Sequence, residues 1–299
     1  MKNLLMAAAA LLLALPSSAD EVYRDAGAGA YSFLKIDPGA RAAALGGTGL
    51  LNSGELAVFT NPALLPSINS GGVSAGHNQW LGDATQNFLA WNFGLGGINC
   101  ALGTRFLHVG DLEMREEASS EPVTTFSAWD ISIHGAAGIS LGMFDLGLGL
   151  KVMREKIWTE TSSGFALDAG VIVHPMQRLA FAAAVQHLGP SVTMTDDDFR
   201  LPTTWRVGGI YTMRLPLGEA ALSLETGKPL DNQLYAGGGL EYSPRDWLHL
   251  RLGYRTGDDT RDVTSGLGLS AGSWKLDYAF VPTDYSLGAV HRFTLHRSL

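Results

Sequence analysis

The residue types that could perform catalysis are scattered along this sequence without the spacing that an active site needs. The eight histidines form neither a His-Glu-x-x-His motif nor a pair at metal-ligand spacing. The string Gly-x-Ser-x-Gly occurs around Ser74, Ser140 and Ser270. A nucleophile elbow needs a strand-to-helix turn, which none of these serines has, and chance matches are expected in a chain with 37 glycines. We therefore predict a non-enzymatic protein with no cofactor.

Two further segments carry weak signals for ligand binding. Asp196, Asp197 and Asp198 offer oxygen ligands for Ca²⁺, although a solvated acidic loop tip is the simpler interpretation. The glycine-rich stretch 46–49 lacks the lysine and the strand–helix context of a phosphate loop. We predict no resident metal or phosphate site.

Polar residues also recur at alternate positions of apolar segments. In the stretch 274–280, Trp, Leu, Tyr and Phe alternate with Lys275, Asp277 and Ala. Successive side chains of a strand point to opposite faces, so this pattern predicts strands with one apolar and one polar face. If the apolar faces meet lipid, the polar faces line a lumen that receives Asp145, Lys151, Arg206, Glu225, Glu241, His249, Arg251, Arg255, Lys275, Asp277 and Arg292. The mixture of signs predicts a paired, hydrated wall, because isolated buried charges are costly.

Fourteen segments show strand character. They lie near 73–80, 86–94, 97–107, 128–140, 143–154, 163–174, 178–188, 203–213, 218–226, 232–242, 247–256, 262–270, 271–281 and 287–297. Many are longer than the 5–6 residues typical of soluble strands and close to the 9–11 that cross a bilayer. The even number also suits a closed barrel. We therefore predict an all-β fold, a fourteen-stranded antiparallel transmembrane β-barrel over residues 72–299, in preference to a soluble β-sandwich.

The connections and the aromatic residues support a barrel. Tight turns are expected at 141–142, 175–176, 243–244 and 271–272, and long loops at 108–127, 155–162, 189–202 and 257–261. The loop 108–127 is the longest and most acidic, and is as well explained by partner docking as by simple solvation. Aromatic residues that could form interfacial girdles are Trp80, Trp129, Trp158, Trp205, Trp247, Trp274 and Tyr285.

The beginning of the chain predicts export. Lys2 precedes an unbroken apolar run from Leu4 to Leu15, and small residues follow before Asp20. This is the pattern of a signal peptide over residues 1–19, and it is too short for a membrane-spanning helix. The net charge of −8 excludes a basic nucleic-acid footprint as the main function. An exported barrel belongs in the outer membrane of a bacterium, with lipid around it.

Residues 20–71 lack strand alternation, and helix-favouring composition is confined to 40–45. Irregular backbone survives at membrane depth only inside protein or in a wet cavity. We therefore predict that this segment is a plug within the barrel, and that Arg292, Lys275 and Asp277 contact it.

Three stretches of the plug carry a family resemblance: Phe33-Leu34-Lys35-Ile36, the run from Gly39 and Arg41 to Gly46 and Gly47, and Asn61-Pro62-Ala63. Together with the closing hairpin, 276–282 and 287–295, they resemble the PorV/PorQ family of outer-membrane proteins, which is related to FadL-type barrels. One departure is the ending Arg297-Ser298-Leu299, where such barrels usually end on an aromatic residue.

The resemblance implies a fourteen-stranded barrel with an N-terminal plug that works in a type IX-like secretion pathway. Its expected partners are exported proteins that share a C-terminal domain, and components of the surface-attachment complex. The alternative, implied by the FadL relatives, is a channel for the uptake of hydrophobic small molecules. A fatty-acid tunnel should be lined mainly by apolar groups, so the charged lumen favours the secretion role over uptake.

Overall fold

The computed structural model describes residues 29–68, 71–115, 118, 121–194, 197–257, 262–283 and 288–299. The predicted signal peptide, Asp196 and Tyr285 lie outside the described residues. Among those that are described, no helix is long and apolar enough to cross a membrane.

Fourteen antiparallel strands close into a single barrel, in which the first strand pairs with the last. They are β1 (Gly72–Gln79), β2 (Thr85–Leu95), β3 (Ile98–Met114), β4 (Thr124–Leu141), β5 (Phe144–Ile157), β6 (Glu160–Met176), β7 (Leu179–Leu188), β10 (Thr204–Leu215), β11 (Gly218–Pro229), β12 (Tyr235–Arg245), β13 (Leu248–Thr256), β14 (Val263–Ala271), β15 (Trp274–Pro282) and β16 (Ala289–Ser298). A separate hairpin of β8 (Val192–Met194) and β9 (Asp197–Phe199) lies between β7 and β10. The predicted fourteen-stranded antiparallel barrel is confirmed.

The exterior of the barrel is apolar because the side chains alternate along each strand. On β5, Leu146, Leu148 and Leu150 are 39%, 69% and 51% exposed, while the side chain of Lys151 is fully buried in the interior. Soluble monomers rarely expose apolar patches larger than a few hundred Å². An apolar band around a polar interior is the surface expected of a barrel in a bilayer.

The two ends of the barrel differ in their connections. At the short-turn end, six turns of two residues each join consecutive strands, at 96–97, 142–143, 177–178, 216–217, 246–247 and 272–273. The four tight turns expected from the sequence lie one to three residues further along the chain than predicted. The opposite end, called the long-loop end below, carries the β8–β9 hairpin and the longer connections.

Two of the predicted long loops are wrong. The stretch 108–127 is mostly strand, because β3 continues to Met114 and β4 begins at Thr124. The stretch 155–162 is a tight turn, in which Ile157 pairs with Glu160 and Trp158 adopts φ 53°. These strand extensions were not predicted because they carry charged and hydroxyl side chains in place of an alternating apolar face. A strand segment beyond the apolar band of the barrel needs no apolar face. As a result β3–β6 are 14–18 residues long, against nine for β13–β15.

Residues 29–68 fill the lumen and are called the plug below. The plug contains three short helices, α1 (Ala40–Ala44), α2 (Gly49–Asn52) and α3 (Ala57–Thr60), and 3₁₀ turns at Ser32–Lys35, Gly54–Leu56 and Pro62–Ser67. The Ala30 amide donates to the Arg200 carbonyl at the long-loop end. The Asn99 side chain donates to the Ile68 carbonyl at the short-turn end. The plug therefore runs the length of the lumen before the chain enters β1.

Candidate functional site

One side of the plug is held to the wall by a chain of ion pairs. Arg41 on α1 donates twice to Glu241, from Nη2 at 2.8 Å and from Nε at 3.0 Å. Arg251 on β13 donates to the same carboxylate at 2.5 Å and to Asp277 at 2.7 Å. Glu241 holds the pKa of the Arg41 guanidinium above its usual range. This bidentate geometry fixes the orientation of α1 against the wall.

Lys275 continues this chain toward the short-turn end. Its Nζ lies 3.7 Å from Asp277 and 3.9 Å from Glu55 of the plug, and His296 Nε2 lies 4.0 Å from Glu55. Burial alone would raise the pKa of Glu55, but Lys275, a backbone hydrogen bond, His296 and Arg41 together lower it. The Glu55 carboxylate is therefore held in its charged form by the wall.

Glu225 and Arg206 form a third buried contact with the plug. Glu225 Oε2 accepts the Leu50 amide of α2 at 2.8 Å, and Glu225 Oε1 accepts Arg206 Nε at 2.6 Å. We call these wall residues the ionic seat: Arg206, Glu225, Glu241, Arg251, Lys275 and Asp277.

Arg292 on β16 contacts the plug in a different way. It is fully buried, donates to the Asp37 carbonyl, and its guanidinium lies 4.9 Å from the centre of the Trp80 ring. Of the three residues expected to touch the plug, Arg292 and Lys275 do so directly, while Asp277 acts through Arg251 and Lys275. Trp80 packs inward beside Arg292, so its placement in an interfacial girdle is wrong.

On the opposite side, the part of the plug around Pro62 is held by steric fit. Asn61 Oδ1 accepts the Ala63 amide at 3.1 Å and its Nδ2 donates to the Leu50 carbonyl at 3.0 Å, which fixes the turn around Pro62. This turn lies directly against wall glycines, and a Cβ at Gly147 would overlap the backbone of Pro62 and Ala63. We call the wall glycines that contact the plug here the glycine seat: Gly103, Gly138, Gly147 and Gly170.

The remaining motif residues shape the backbone of α1. Gly39 precedes the helix, and its amide donates to Asp37 Oδ1 at 3.2 Å. Gly46 and Gly47 follow the helix with φ of 69° and 76°. The Gly46 amide donates to Thr264 on the wall at 3.0 Å, and a Cβ at Gly46 would meet the Tyr254 carbonyl. The positive φ and the close wall together require glycine.

Several buried polar residues of the lumen were not identified from the sequence. Arg105 on β3 is 1% exposed and donates to the carbonyls of Leu34 at 3.4 Å and Phe33 at 2.9 Å, and also to Ile36. Lys151, which the alternation places in the lumen, pairs with Asp168 at 2.7 Å and lies 2.8 Å from His187 Nδ1. Asp168, His187, His134 and Gln186 are also buried inside the barrel. The alternation of inward-facing and outward-facing residues could have identified these polar residues, but it is weak on strands rich in Ala and Gly.

A cavity of about 310 Å³ lies in the lumen near the long-loop end, between the plug and the wall. The plug contributes Leu34 to Pro38 and Phe59, and the wall contributes Arg105, Thr204 and Tyr235. This volume is near the lower end of the ~300–1,000 Å³ typical of small-molecule sites. The cavity is therefore large enough to hold a small molecule.

A serine–histidine pair near the short-turn end has no access to a substrate. Ser74 Oγ lies 2.9 Å from His296 Nδ1, and Glu55 lies 4.0 Å from the other ring nitrogen. Ser74 is fully buried, however, and the adjoining cavity of about 10 Å³ holds about one water. Ser140 and Ser270 lie on β4 and β14. Within the part of the chain that the structure describes, no group of His, Cys, Asp or Glu could hold a metal ion.

Comparisons with known proteins show the fold. No family model and no curated protein matches this sequence. Among solved structures, the toluene transporter TodX of Pseudomonas putida is similar with a TM-score of 0.60 and 12% identity, over 87% of this chain and 96% of that one. CymD, a monoaromatic hydrocarbon channel, is similar with a TM-score of 0.64 and 10% identity, over 88% and 98%. The chain therefore shares the barrel fold of these two channels.

Proposed function

We propose that this protein is a channel in the outer membrane of a bacterium for the uptake of small molecules with a largely apolar body. The observation that carries the proposal is the cavity of about 310 Å³ between the plug and the long-loop end. The fold of the protein is similar to that of TodX, a toluene transporter, and of CymD, a monoaromatic hydrocarbon channel, and this similarity supports the same function. The alternative role of hydrophobic uptake is thus better supported than the secretion role.

The lumenal charges no longer argue against uptake. Arg41, Glu241 and Arg251 engage one another, and Glu225 engages the plug backbone, so these charges serve to seat the plug. Around the cavity itself, Leu34, Ile36, Pro38 and Phe59 supply apolar surface. Most of the other lining residues are polar or charged, so the cavity combines apolar surface with hydrogen-bonding groups.

The outer membrane is the location that the surface favours. The apolar exterior suits lipid, and the predicted signal peptide would deliver the chain across the inner membrane. Lipid of the outer membrane is therefore the first partner that we propose.

The secretion role predicted from the PorV/PorQ resemblance remains a second proposal. It is supported by the plug motif and by the closing hairpin, and it implies exported proteins and attachment-complex components as partners. Cross-linking in intact cells, followed by mass spectrometry, tests it. Recovery of exported proteins with a shared C-terminal domain would support this role, and recovery of the barrel alone would count against it.

An uptake assay tests the channel function. We would measure entry of labelled toluene and benzoate into proteoliposomes that contain the purified full-length protein. Gln233 lines the cavity, whereas the next residue, Leu234, is 53% exposed and does not. We expect Gln233→Trp to lower the entry rate several-fold by filling the cavity, and Leu234→Trp, the matched control, to leave it unchanged. Equal rates with the two variants, or no entry above empty liposomes, would refute the proposal.

A further inference from the structure

We propose that the outer face of the barrel binds the phosphate group of a lipid in the membrane leaflet at the long-loop end, through Arg154 and Lys156 on β5. This inference rests on the proposed location in an outer membrane and is independent of the uptake function. It adds a binding site on the barrel wall and the chemistry of its ligand, a phosphorylated lipid.

The two cations directly follow the apolar outer face of β5. The outward-facing positions of this strand run from Phe144 to Val152 and continue with Arg154 and Lys156. At ~3.3 Å per residue, the strand from Phe144 to Val152 is about 26 Å long, and a tilt of ~40° reduces this to about 20 Å across the membrane. The apolar band of an outer-membrane barrel is ~25 Å tall. Arg154 therefore lies at the edge of the band, and Lys156 at the level of the lipid headgroups.

The neighbouring strands place suitable groups on both sides of the cations. Trp129 on β4 stands directly opposite Lys156, and its half-buried side chain is on the same outer face. On β6, Ser163 stands opposite Arg154 and Thr161 opposite Lys156. Tryptophan is enriched where lipid meets water, and hydroxyl groups donate hydrogen bonds to oxygen acceptors. The cations are therefore flanked by side chains that suit the headgroup of a lipid.

Carboxylates of the protein do not neutralise this pair of cations. Arg154 is exposed and Lys156 is half-buried, and neither side chain has a hydrogen bond or an ion pair with the described residues. The acidic residues of the same hairpin, Glu155 and Glu160, stand at inward-facing positions, and Glu155 accepts an amide of the plug at 3.2 Å. Asp130 on β4 stands opposite Glu155 on that inner face. The outer face of this hairpin is therefore cationic and open to an anion.

The surface beside the cations favours a lipid over a soluble anion. Val152 stands opposite Phe165 and Ile133, and these three outward side chains are 50%, 49% and 57% exposed. Acyl chains can pack on this apolar surface while the phosphate reaches the cations. Arg154 and Lys156 are two positions apart, which is roughly 7 Å along a strand, so their long side chains can reach the same phosphate. The longer loops of such barrels are extracellular, so the ligand is a phosphorylated lipid of the outer leaflet.

Native mass spectrometry of the purified full-length protein in an uncharged detergent tests this inference. The probes are lipid A with its phosphate groups, dephosphorylated lipid A, and inorganic phosphate. Each cation near a membrane surface strengthens binding of an anionic lipid by about fivefold. We therefore expect phosphorylated lipid A to bind at least about tenfold more tightly than the dephosphorylated form.

The variants show whether this preference comes from the two cations on β5. We expect the double variant Arg154→Gln with Lys156→Gln to reduce the ratio of the two affinities to about 1–3. Arg297→Gln is the matched control, because Arg297 is an exposed arginine of the outer face at the short-turn end, where its guanidinium lies 5.2 Å from the centre of the Trp274 ring. It should leave the ratio unchanged. The circular dichroism spectrum checks that each variant folds, and the single variants Arg154→Gln and Lys156→Gln replace a double variant that does not.

The outcomes separate the lipid site from the proposed location. Equal affinity for the two forms of lipid A would overturn the site, and so would an equal drop of the ratio in Arg297→Gln. Displacement of lipid A by an equal concentration of inorganic phosphate would show that the cations select a soluble anion, and would overturn a lipid ligand. Flotation with phosphatidylcholine liposomes tests the location separately. A protein that floats without preferring phosphorylated lipid A loses only the site, whereas one that stays soluble without detergent loses both.

Discussion

The plug is held on its two sides by different kinds of interaction. On the side of β10–β15, the ionic seat meets Arg41, Leu50 and Glu55 through charged hydrogen bonds and ion pairs. On the side of β3–β6, the glycine seat packs closely against Phe59, Asn61 and the backbone of Pro62. Charged contacts can exchange partners and take up water, whereas a steric fit cannot adjust without moving the wall. The two sides should therefore respond differently to substitution and to pH.

This comparison predicts the largest effect for Arg251. It bridges Glu241 and Asp277 and its side chain is 1% exposed, so Arg251→Met leaves two buried carboxylates with fewer partners. Removing one partner of a buried pair costs about 3–5 kcal/mol. We expect this loss in the free energy of unfolding, measured in urea with the protein in detergent micelles. Arg214→Met, an exposed arginine, is the control, and similar losses for both variants would show that the ionic seat is not special.

The steric fit at the glycine seat is tested by introducing a side chain at Gly147, where there is no space for one. A Cβ at Gly147 would overlap the backbone of Pro62 and Ala63, whereas a Cβ at Gly94 on β2 has no neighbour within 4 Å. Overpacking of this kind costs about 1–3 kcal/mol. We expect Gly147→Val to lose that much stability and to expose the plug to protease, while Gly94→Val does neither. A plug that remains protected in Gly147→Val would mean that the wall adapts.

The two seats also differ in how visible they are in the sequence. Glu241, Arg251 and Asp277 stand at alternate positions between large apolar residues, so their lumenal side follows from the period of two. Gly147 also stands at an inward-facing position of its strand, but a glycine has no side chain that would indicate what packs against it. The residue that presses against it, Pro62, lies 85 positions earlier in the sequence. Such a contact depends on the packed tertiary structure and has no local signal.

The same reasoning explains which other features were predictable. The closed barrel and its strand number follow from alternation and length, which are local properties. The cavity does not, because it is formed where the plug fails to fill the lumen. Arg105 was missed because its inward-facing neighbours, Ala101 and Gly103, are small and lack polarity. The ends of β3 and β4 were missed because they extend beyond the apolar band.

A smaller effect is expected where an ion pair lies near water. Lys35 and Asp231 pair at 2.7 Å near the long-loop end, with the Lys35 side chain 25% exposed. Partly exposed pairs contribute about 0.2–1 kcal/mol and are screened by salt. We therefore expect Lys35→Gln to lose less than about 1 kcal/mol in the same urea experiment, with the difference shrinking in 1 M salt. A loss in the free energy of unfolding as large as that of Arg251→Met would show that partly exposed and buried ion pairs of this lumen do not differ in strength.

The smallest expected effect is a pH dependence of stability at the contact between Glu55 and Lys275, toward the short-turn end of the ionic seat. The pKa of Glu55 is lowered in the folded protein because Lys275, a backbone hydrogen bond, His296 and Arg41 outweigh the effect of burial. A carboxylate with a lowered pKa contributes stability above its unfolded pKa of about 4.3, and this contribution is lost as the pH falls through the folded value. The contacts of 3.9 and 4.0 Å are long and the Glu55 side chain is 28% exposed, so we expect less than about 0.5 kcal/mol.

Protease cleavage of the plug between pH 5 and pH 3 measures this contribution of Glu55. The wild-type plug should become more accessible as the pH falls, and Glu55→Gln should be more accessible at pH 5 with a smaller change below it. Glu113→Gln is the matched control, because Glu113 is paired with Arg115 on the exposed extension of β3. If Glu55→Gln and Glu113→Gln follow the same pH curve as the wild type, acid does not act through Glu55. A selective change at Glu55 would instead place the pH-sensitive contact on the ionic seat, since no titratable side chain contacts the glycine seat.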